Sequence, residues 1–351
     1  MVEGLLRDRA SALPVPGART AQYREIVLSA PDGGRTDGAQ RFTVSADLAV
    51  RIDGYDEQPV VYPRRLEVAR AGDGWSIERE ERAGGPPPLW DLGTVRTASG
   101  AHCRILALDA VPGLMAVMAA MTAFGDRAVA SVSEVWGSAW PGRVLFELPA
   151  TQAQFAQLME SDPASWTGMA AVTVAAPGAP GHAPADRVVV NPDTYGKLSD
   201  FGRQVVITHE TTHVATRADT RAWTPLWLSE GVADWTAYRD CGRTPQQIAP
   251  ELTRDVAAGR LPTALPADRA FAAGAEGISQ AYEQSWLACA LIARRHGPDK
   301  LVSFYRAVGA EDGQGEDRDH RTDRLLRAEL GLGLAEFTRL WRDEVAALAA
   351  S

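Results

Sequence analysis

The sequence predicts an α+β protein with two domains, and three features of its hydrophobic pattern support this. Strand-like alternation of apolar and polar residues dominates residues 23–80. Helical and extended patterns then alternate over residues 114–190, and only helical patterns follow from Phe201 onward. We therefore expect a small module with an antiparallel sheet, then a larger domain that begins with a short mixed sheet and ends in a helical lobe.

The predicted amino-terminal module consists of one helix and four strands. Val2, Leu5, Leu6 and Ala10 recur at helical spacing, which predicts a short amphipathic helix. Turn sequences such as Asp53-Gly54 separate the strands. The predicted strands are Tyr23 to Leu28, Phe42 to Ile52, Val60 to Ala69 and Trp75 to Glu80.

A proline and glycine cluster, GGPPP, begins at Gly84 and is typical of a linker. It predicts a first domain over residues 1–83, a linker over 84–94 and a second domain over 95–351. We expect the two domains to be separable at this point.

The second domain is expected to begin with alternating elements. Leu114 to Trp136 and Thr151 to Met159 are predicted helices, and the predicted strands are Arg143 to Leu148, Ala171 to Ala175 and Arg187 to Val190.

Composition narrows the possible functions. With 45% hydrophobic and 23% charged residues, the 351-residue chain can bury a large core. A net charge of −9 argues against nucleic acid as a partner.

Apolar runs are interrupted before they reach the length of a membrane span, so no transmembrane segment is predicted. The first residues lack the pattern of a signal peptide. Localisation stays open: extracytoplasmic or surface-associated if a leader precedes this chain, cytoplasmic otherwise.

The motif HETTH, His209 to His213, carries the strongest chemical signal. Its period is helical, and a spacing of four residues places both imidazoles on one face of a helix, where they can share a zinc ion. Glu210 would then lie beside the metal and could take a proton from water. The motif therefore predicts a catalytic zinc site.

A catalytic zinc ion needs a third protein ligand. Glu230 is the best candidate, because it lies 17 positions after His213 at the start of a second predicted helix. Asp234 follows one helical turn later and could accept the free ring N–H of a ligating histidine.

These residues resemble the signature of the gluzincin zinc metallopeptidases, in which HExxH is followed by a glutamate ligand on the next helix. The segment EGVA at Glu230 looks like the aminopeptidase-N side of that group, and the spacing from Glu230 to Asp234 is similar to the thermolysin side. The resemblance covers residues 95–351. Within it, the runs RVVVNPDTYGKL, PLWLSEGVADW and AYEQSWLACALIARRHG resemble small peptidase-MA-like proteins of actinobacteria. The first domain resembles the cone-shaped fold of the nuclear transport factor family.

The resemblance implies two further roles. Tyr282 lies 52 positions after Glu230, where aminopeptidase-N-like enzymes bring in a tyrosine, and its phenol could donate a hydrogen bond to an oxyanion. The alternative is a core tyrosine. Asn191 ends a strand just before the metal-binding motif, where gluzincins bind substrate along an edge strand. The alternative is a strand-ending turn.

The predicted function is zinc-dependent hydrolysis of peptide bonds in a peptide or protein substrate, with Glu210 as general base. The GxMEN exopeptidase signature is absent, so aminopeptidase activity is not implied. Two alternatives stay open. The chain could act on a small non-peptide amide as a tailoring enzyme, or it could be a non-catalytic binding protein that contains zinc.

Overall fold

The computed structural model describes residues 2–13, 19–29, 39–175, 185–272, 274–310 and 315–349. It has an antiparallel four-stranded sheet near the amino terminus, then a five-stranded mixed sheet, then helices. The predicted α+β fold class is confirmed.

Helix α1 and strands β1 to β4 form the amino-terminal part of the fold. The four strands pair with their sequence neighbours in the antiparallel order β1-β2-β3-β4. Buried and solvent-accessible residues alternate along β3, as expected when one face of a sheet covers a core. The bounds are α1 Val2–Ser11, β1 Arg19–Leu28, β2 Gln40–Ile52, β3 Val60–Ala71 and β4 Gly74–Arg82.

The second sheet has the strand order β5-β6-β7-β9-β8. Strands β6, β7 and β9 run parallel, and the two edge strands are antiparallel to their neighbours. Every residue of β7 and β9 is buried, which is typical of central strands. The strands are β5 Val95–Ser99, β6 Cys103–Leu108, β7 Val144–Leu148, β8 Ala171–Ala175 and β9 Asp186–Val190, and the nearby helices are α2 Leu114–Trp136, α3 Gln152–Leu158 and α4 Pro192–Tyr195.

The chain divides into two compact units. The first comprises Met1–Ala123 and Arg143–Lys197, and the second comprises Phe124–Gly142 and Leu198–Ser351. Both sheets therefore belong to the first unit. The sequence had instead predicted a division between the two sheets, with a linker at residues 84–94. Helix α2 contributes residues to both units.

Two features explain why both sheets belong to one unit. Leu89 and Trp90, directly after the GGPPP segment, are buried in a core cluster shared with residues of both sheets such as Leu66 and Leu106. The Arg187 guanidinium of β9 also forms a bidentate ion pair with the Asp56 carboxylate after β2, at 2.6 and 2.9 Å. The segment thus leads from two exposed glycines, through the buried Pro87 and Pro88, into a core that residues of both sheets share.

The second unit is helical after Leu198, as predicted. The HETTH motif lies on the first of its complete helices. These helices are α5 Asp200–Thr216, α6 Leu226–Tyr238, α7 Pro245–Ile248, α8 Pro250–Ala257, α9 Ile278–His296, α10 Pro298–Val308, α11 Arg318–Leu330 and α12 Leu334–Ala347. Short 3-10 helices span Leu89–Asp91, Pro163–Trp166, Arg217–Asp219 and Asp268–Phe271.

Among the described residues, one helix is long and apolar enough to cross a membrane, judged by length and composition alone. It is α2, and 39% of its most apolar window is buried. The sequence prediction of no membrane span counted uninterrupted apolar runs, and the run that overlaps this helix, Val111 to Phe124, is broken by Pro112, Gly113 and Thr122. Core helices of globular proteins pass the same test, so this helix is weak evidence for a membrane span.

Candidate metal centre

Helix α5 presents the two histidines of the HETTH motif on one face. The helix begins at a Ser199 cap, whose hydroxyl accepts the Gly202 N–H at 3.3 Å. The Nε2 atoms of His209 and His213 lie 3.1 Å apart, and the side chains are 13% and 20% exposed. The helical spacing thus brings two imidazole nitrogens together at a partly accessible point.

Glu230 on α6 completes the group. Its Oε2 lies 3.2 Å from His209 Nε2 and 3.3 Å from His213 Nε2. Zinc–nitrogen and zinc–oxygen bonds of about 2.0–2.2 Å at tetrahedral angles would separate neighbouring donor atoms by about 3.3–3.5 Å. The three observed separations lie close to that range, so these donors could hold one metal ion.

Asp234 fixes the orientation of His209. Its Oδ1 lies 2.8 Å from His209 Nδ1, and because a carboxylate only accepts, the ring N–H at Nδ1 donates. A neutral His209 then has its lone pair on Nε2, the atom that faces Glu230 and His213. The contact expected between Asp234 and His209 is therefore present.

The imidazoles and carboxylates at this point shift each other's pKa. Burial acts to raise the pKa of Glu230, but the His213 and His209 imidazoles outweigh it and hold the pKa below its ordinary value. Burial acts to lower the pKa of His209, but Asp234 and Glu230 outweigh it and raise the pKa. A proton on His209 or a metal ion among the three donors would offset the negative charge of the Glu230 and Asp234 carboxylates.

Glu210, the predicted general base, is buried with 7% exposure on the same helix. Its charge is close enough to raise the pKa of both His209 and Tyr282. Glu210 therefore lies near His209 and Tyr282, as the predicted site requires.

Tyr282, in the first turns of α9, reaches the same place. Its ring centroid lies 6.1 Å from that of His209. Burial and the carboxylates of Glu230, Asp234 and Glu210 raise its pKa, so the phenol keeps its proton. Within the described part of the chain, no hydrogen bond occupies its hydroxyl, whereas the core residue Tyr305 contacts the Thr220 hydroxyl at 2.7 Å.

Helices α6 and α9, which carry Glu230 and Tyr282, cross closely at Gly231. At Gly231, an added Cβ would lie 2.4 Å from the Ser285 carbonyl oxygen and 2.7 Å from Cys289 Sγ, both on α9. The glycine next to the candidate ligand therefore allows the two helices to approach closely.

Asn191 lies in the first unit and is fully buried. Its side-chain oxygen accepts the Asp193 N–H at 3.2 Å, and its amide nitrogen donates to the Trp166 carbonyl oxygen at 3.3 Å. The first bond caps α4, and the two bonds together match the alternative of a strand-ending turn. Substrate binding by Asn191 stays a prediction.

Two residues that the sequence reasoning missed contact the helices that carry Glu230 and Tyr282. The Phe271 ring packs edge-on against Tyr282 with centroids 5.4 Å apart, and Asp268 Oδ1 accepts the Leu226 N–H at the start of α6 at 3.1 Å. No local motif marks either residue, and only the tertiary structure brings them to the centre.

Comparisons of this chain with protein-family models, with curated proteins and with solved structures found no match. The resemblance to gluzincins thus stays a prediction that depends on the motif residues.

Proposed function

We propose that the chain is a zinc-dependent hydrolase that cleaves peptide bonds. The observation that carries the proposal is the convergence of three donor atoms, one from each of His209, His213 and Glu230, at mutual distances of 3.1–3.3 Å. Three protein donors leave room for a fourth ligand, which is the pattern of catalytic rather than structural zinc sites. Nitrogen and carboxylate donors suit zinc.

His209, His213 and Glu230 would hold the metal, and Asp234 would keep His209 in the tautomer that ligation needs. When bound, zinc supplies a Lewis acid that polarises a carbonyl and lowers the pKa of water toward about 7. Side chains of the protein itself carry out the proton transfer and the stabilisation of the oxyanion.

Glu210 acts as the general base. Its carboxylate accepts a proton as the water oxygen attacks the carbonyl carbon, and it returns that proton to the amide nitrogen as the carbon–nitrogen bond breaks. Glu210 is adjacent to His209 in sequence and buried beside the centre, which supports this role.

Tyr282 stabilises the negative charge that develops on the carbonyl oxygen. Its raised pKa keeps the hydroxyl protonated, and the ring lies next to His209. A hydrogen-bond donor of this kind contributes about 10²- to 10³-fold to turnover.

Metal content tests the ligand assignment. The purified chain should carry about one zinc ion per molecule, and His213→Ala should lose most of it. His320→Ala is the matched control, because His320 is an exposed histidine on α11. Full zinc retention in His213→Ala would overturn the ligand assignment.

Turnover of a mixed peptide library tests the reaction. Glu210→Gln keeps the shape but cannot take the proton, so hydrolysis should fall by at least about 10²-fold while zinc stays bound. Glu336→Gln, an exposed carboxylate on α12, is the control. A zinc-loaded wild type that cleaves small amides but no peptide would favour the tailoring enzyme. One that cleaves neither would favour the binding protein.

A further inference from the structure

The 3-10 helix Asp268–Phe271 touches two parts of the candidate centre. At its first residue, the Asp268 carboxylate accepts the N–H of Leu226, the first residue of α6. At its last residue, the Phe271 ring packs against Tyr282 on α9 with an interplanar angle of 82°. One short segment therefore contacts both the helix that carries Glu230 and the proposed oxyanion donor.

The Asp268 end of this segment is firmly attached. Helix α6 has Pro225 at its cap position and no cap of its own, so Asp268 supplies an acceptor for the first helical amide. Arg318 on α11 forms an ion pair with Asp268 and also donates to the Ala222 carbonyl oxygen at 2.7 Å. These contacts fix the segment to the turn that begins α6.

Tyr282, by contrast, has no hydrogen bond that orients its phenol. Its hydroxyl has no hydrogen-bond partner among the described residues, and the aromatic rings next to it there are those of His209 and Phe271. Edge-to-face packing has a preferred geometry, so Phe271 restricts the rotation of the Tyr282 ring.

We propose that Phe271, fixed in place through Asp268, is a positioning residue that aims the Tyr282 hydroxyl at the reacting carbonyl oxygen. The inference rests on the proposed function. Misplacement of a reacting group by about 1 Å can cost about 10²-fold in rate. Loss of the Phe271 ring should therefore lower kcat while KM changes little, because the oxyanion forms only in the transition state.

Kinetics of a double-mutant cycle test the proposal. Phe271→Ala should lower kcat by about 10- to 100-fold, and Phe271→Leu, which keeps bulk without a ring, should lie between it and wild type. In a Tyr282→Phe background the same change should have less than about a twofold effect, since the hydroxyl to be aimed is gone. Phe201→Ala is the matched control, because Phe201 is also partly buried and packs on a tyrosine, Tyr238, with centroids 6.2 Å apart.

A spectroscopic measurement on the metal-free chain needs no activity. With 3-fluorotyrosine at position 282, Phe271→Ala should shift and broaden the ¹⁹F resonance, because the neighbouring ring current and the restriction are both lost. Phe201→Ala should leave the resonance unchanged.

The outcomes separate the two proposals. A zinc-loaded wild type that hydrolyses no peptide would overturn the proposed function, and this inference with it. Peptide hydrolysis with an unchanged kcat in Phe271→Ala, or an equal loss in the presence and absence of the Tyr282 hydroxyl, would overturn only the positioning role. An unchanged ¹⁹F resonance would also overturn it.

Discussion

Gly231→Ala tests the helix crossing next to the candidate centre. The new Cβ would lie 2.4 Å from the Ser285 carbonyl oxygen and 2.7 Å from Cys289 Sγ. Ordinary contacts begin near 3.4 Å, so α6 and α9 must separate by about 1 Å at this point. Because the nearest atom belongs to the backbone of another helix, no side-chain rotation can relieve the clash.

The expected loss of stability follows from two opposing terms. Overpacking costs about 1–3 kcal/mol, and a backbone clash belongs at the upper end of that range. Replacing a helical glycine by alanine returns about 0.5–1 kcal/mol. The free energy of unfolding should therefore fall by about 2 kcal/mol.

Urea unfolding followed by circular dichroism measures this difference. Gly4→Ala is the matched control, since Gly4 lies in helix α1 and an added Cβ meets no atom within 4 Å. That control should be stabilised by about 0.5–1 kcal/mol. Stability equal to wild type in Gly231→Ala would refute the close approach of the two helices.

Two further predictions concern buried carboxylates. Asp56→Ala leaves the Arg187 guanidinium buried, with Glu147 at 3.6 Å as its remaining ion-pair partner. The free energy of unfolding, measured with urea, should therefore drop by about 3 kcal/mol. A drop below about 1 kcal/mol would contradict this. Burial and the nearby Glu251 carboxyl raise the pKa of Glu283 from 4.5 to about 8, although its carboxyl oxygens accept the amides of Glu251 and Leu252. The folded state thus holds this proton more tightly, and the stability it contributes is complete below about pH 4.5 and lost as pH rises through 8. Tm should therefore decline across that interval, and Glu283→Gln should flatten the decline; an identical pH profile in the variant would contradict the assignment.

The sequence predicted those parts of the fold that depend on local periodicity. The four amino-terminal strands alternate apolar and polar residues, and each was found within a few residues of its predicted bounds. Strands β5 and β6 were not predicted. In β6, five of the six residues are buried, so no alternation distinguishes a strand from a short core segment. Local composition also cannot show whether a proline cluster is a flexible linker or a buried connection, which is why residues 84–94 were assigned to a linker.

In the candidate centre, too, the sequence predicted what depends on local spacing and did not predict what depends on long-range packing. The sequence predicted that four residues would lie close together, because helical spacing and the next helix determine their placement. These residues are His209, His213, Glu230 and Asp234. Phe271 could not, because its contact with Tyr282 depends on how the chain between α8 and α9 folds back. Long-range packing of this kind leaves no periodic trace in a single sequence.

The three candidate metal ligands and Asp234 lie within 26 consecutive residues on two successive helices, whereas Phe271 and Tyr282 come from a later part of the chain. Under the proposed function, the residues that hold the metal and the residues that act on the oxyanion are therefore encoded in separate stretches of the gene. Substitutions in residues 268–282 should then alter reactivity while the candidate ligands on α5 and α6 stay in place. For directed evolution, this makes the segment 268–282 the place to vary, with the α5–α6 pair kept constant.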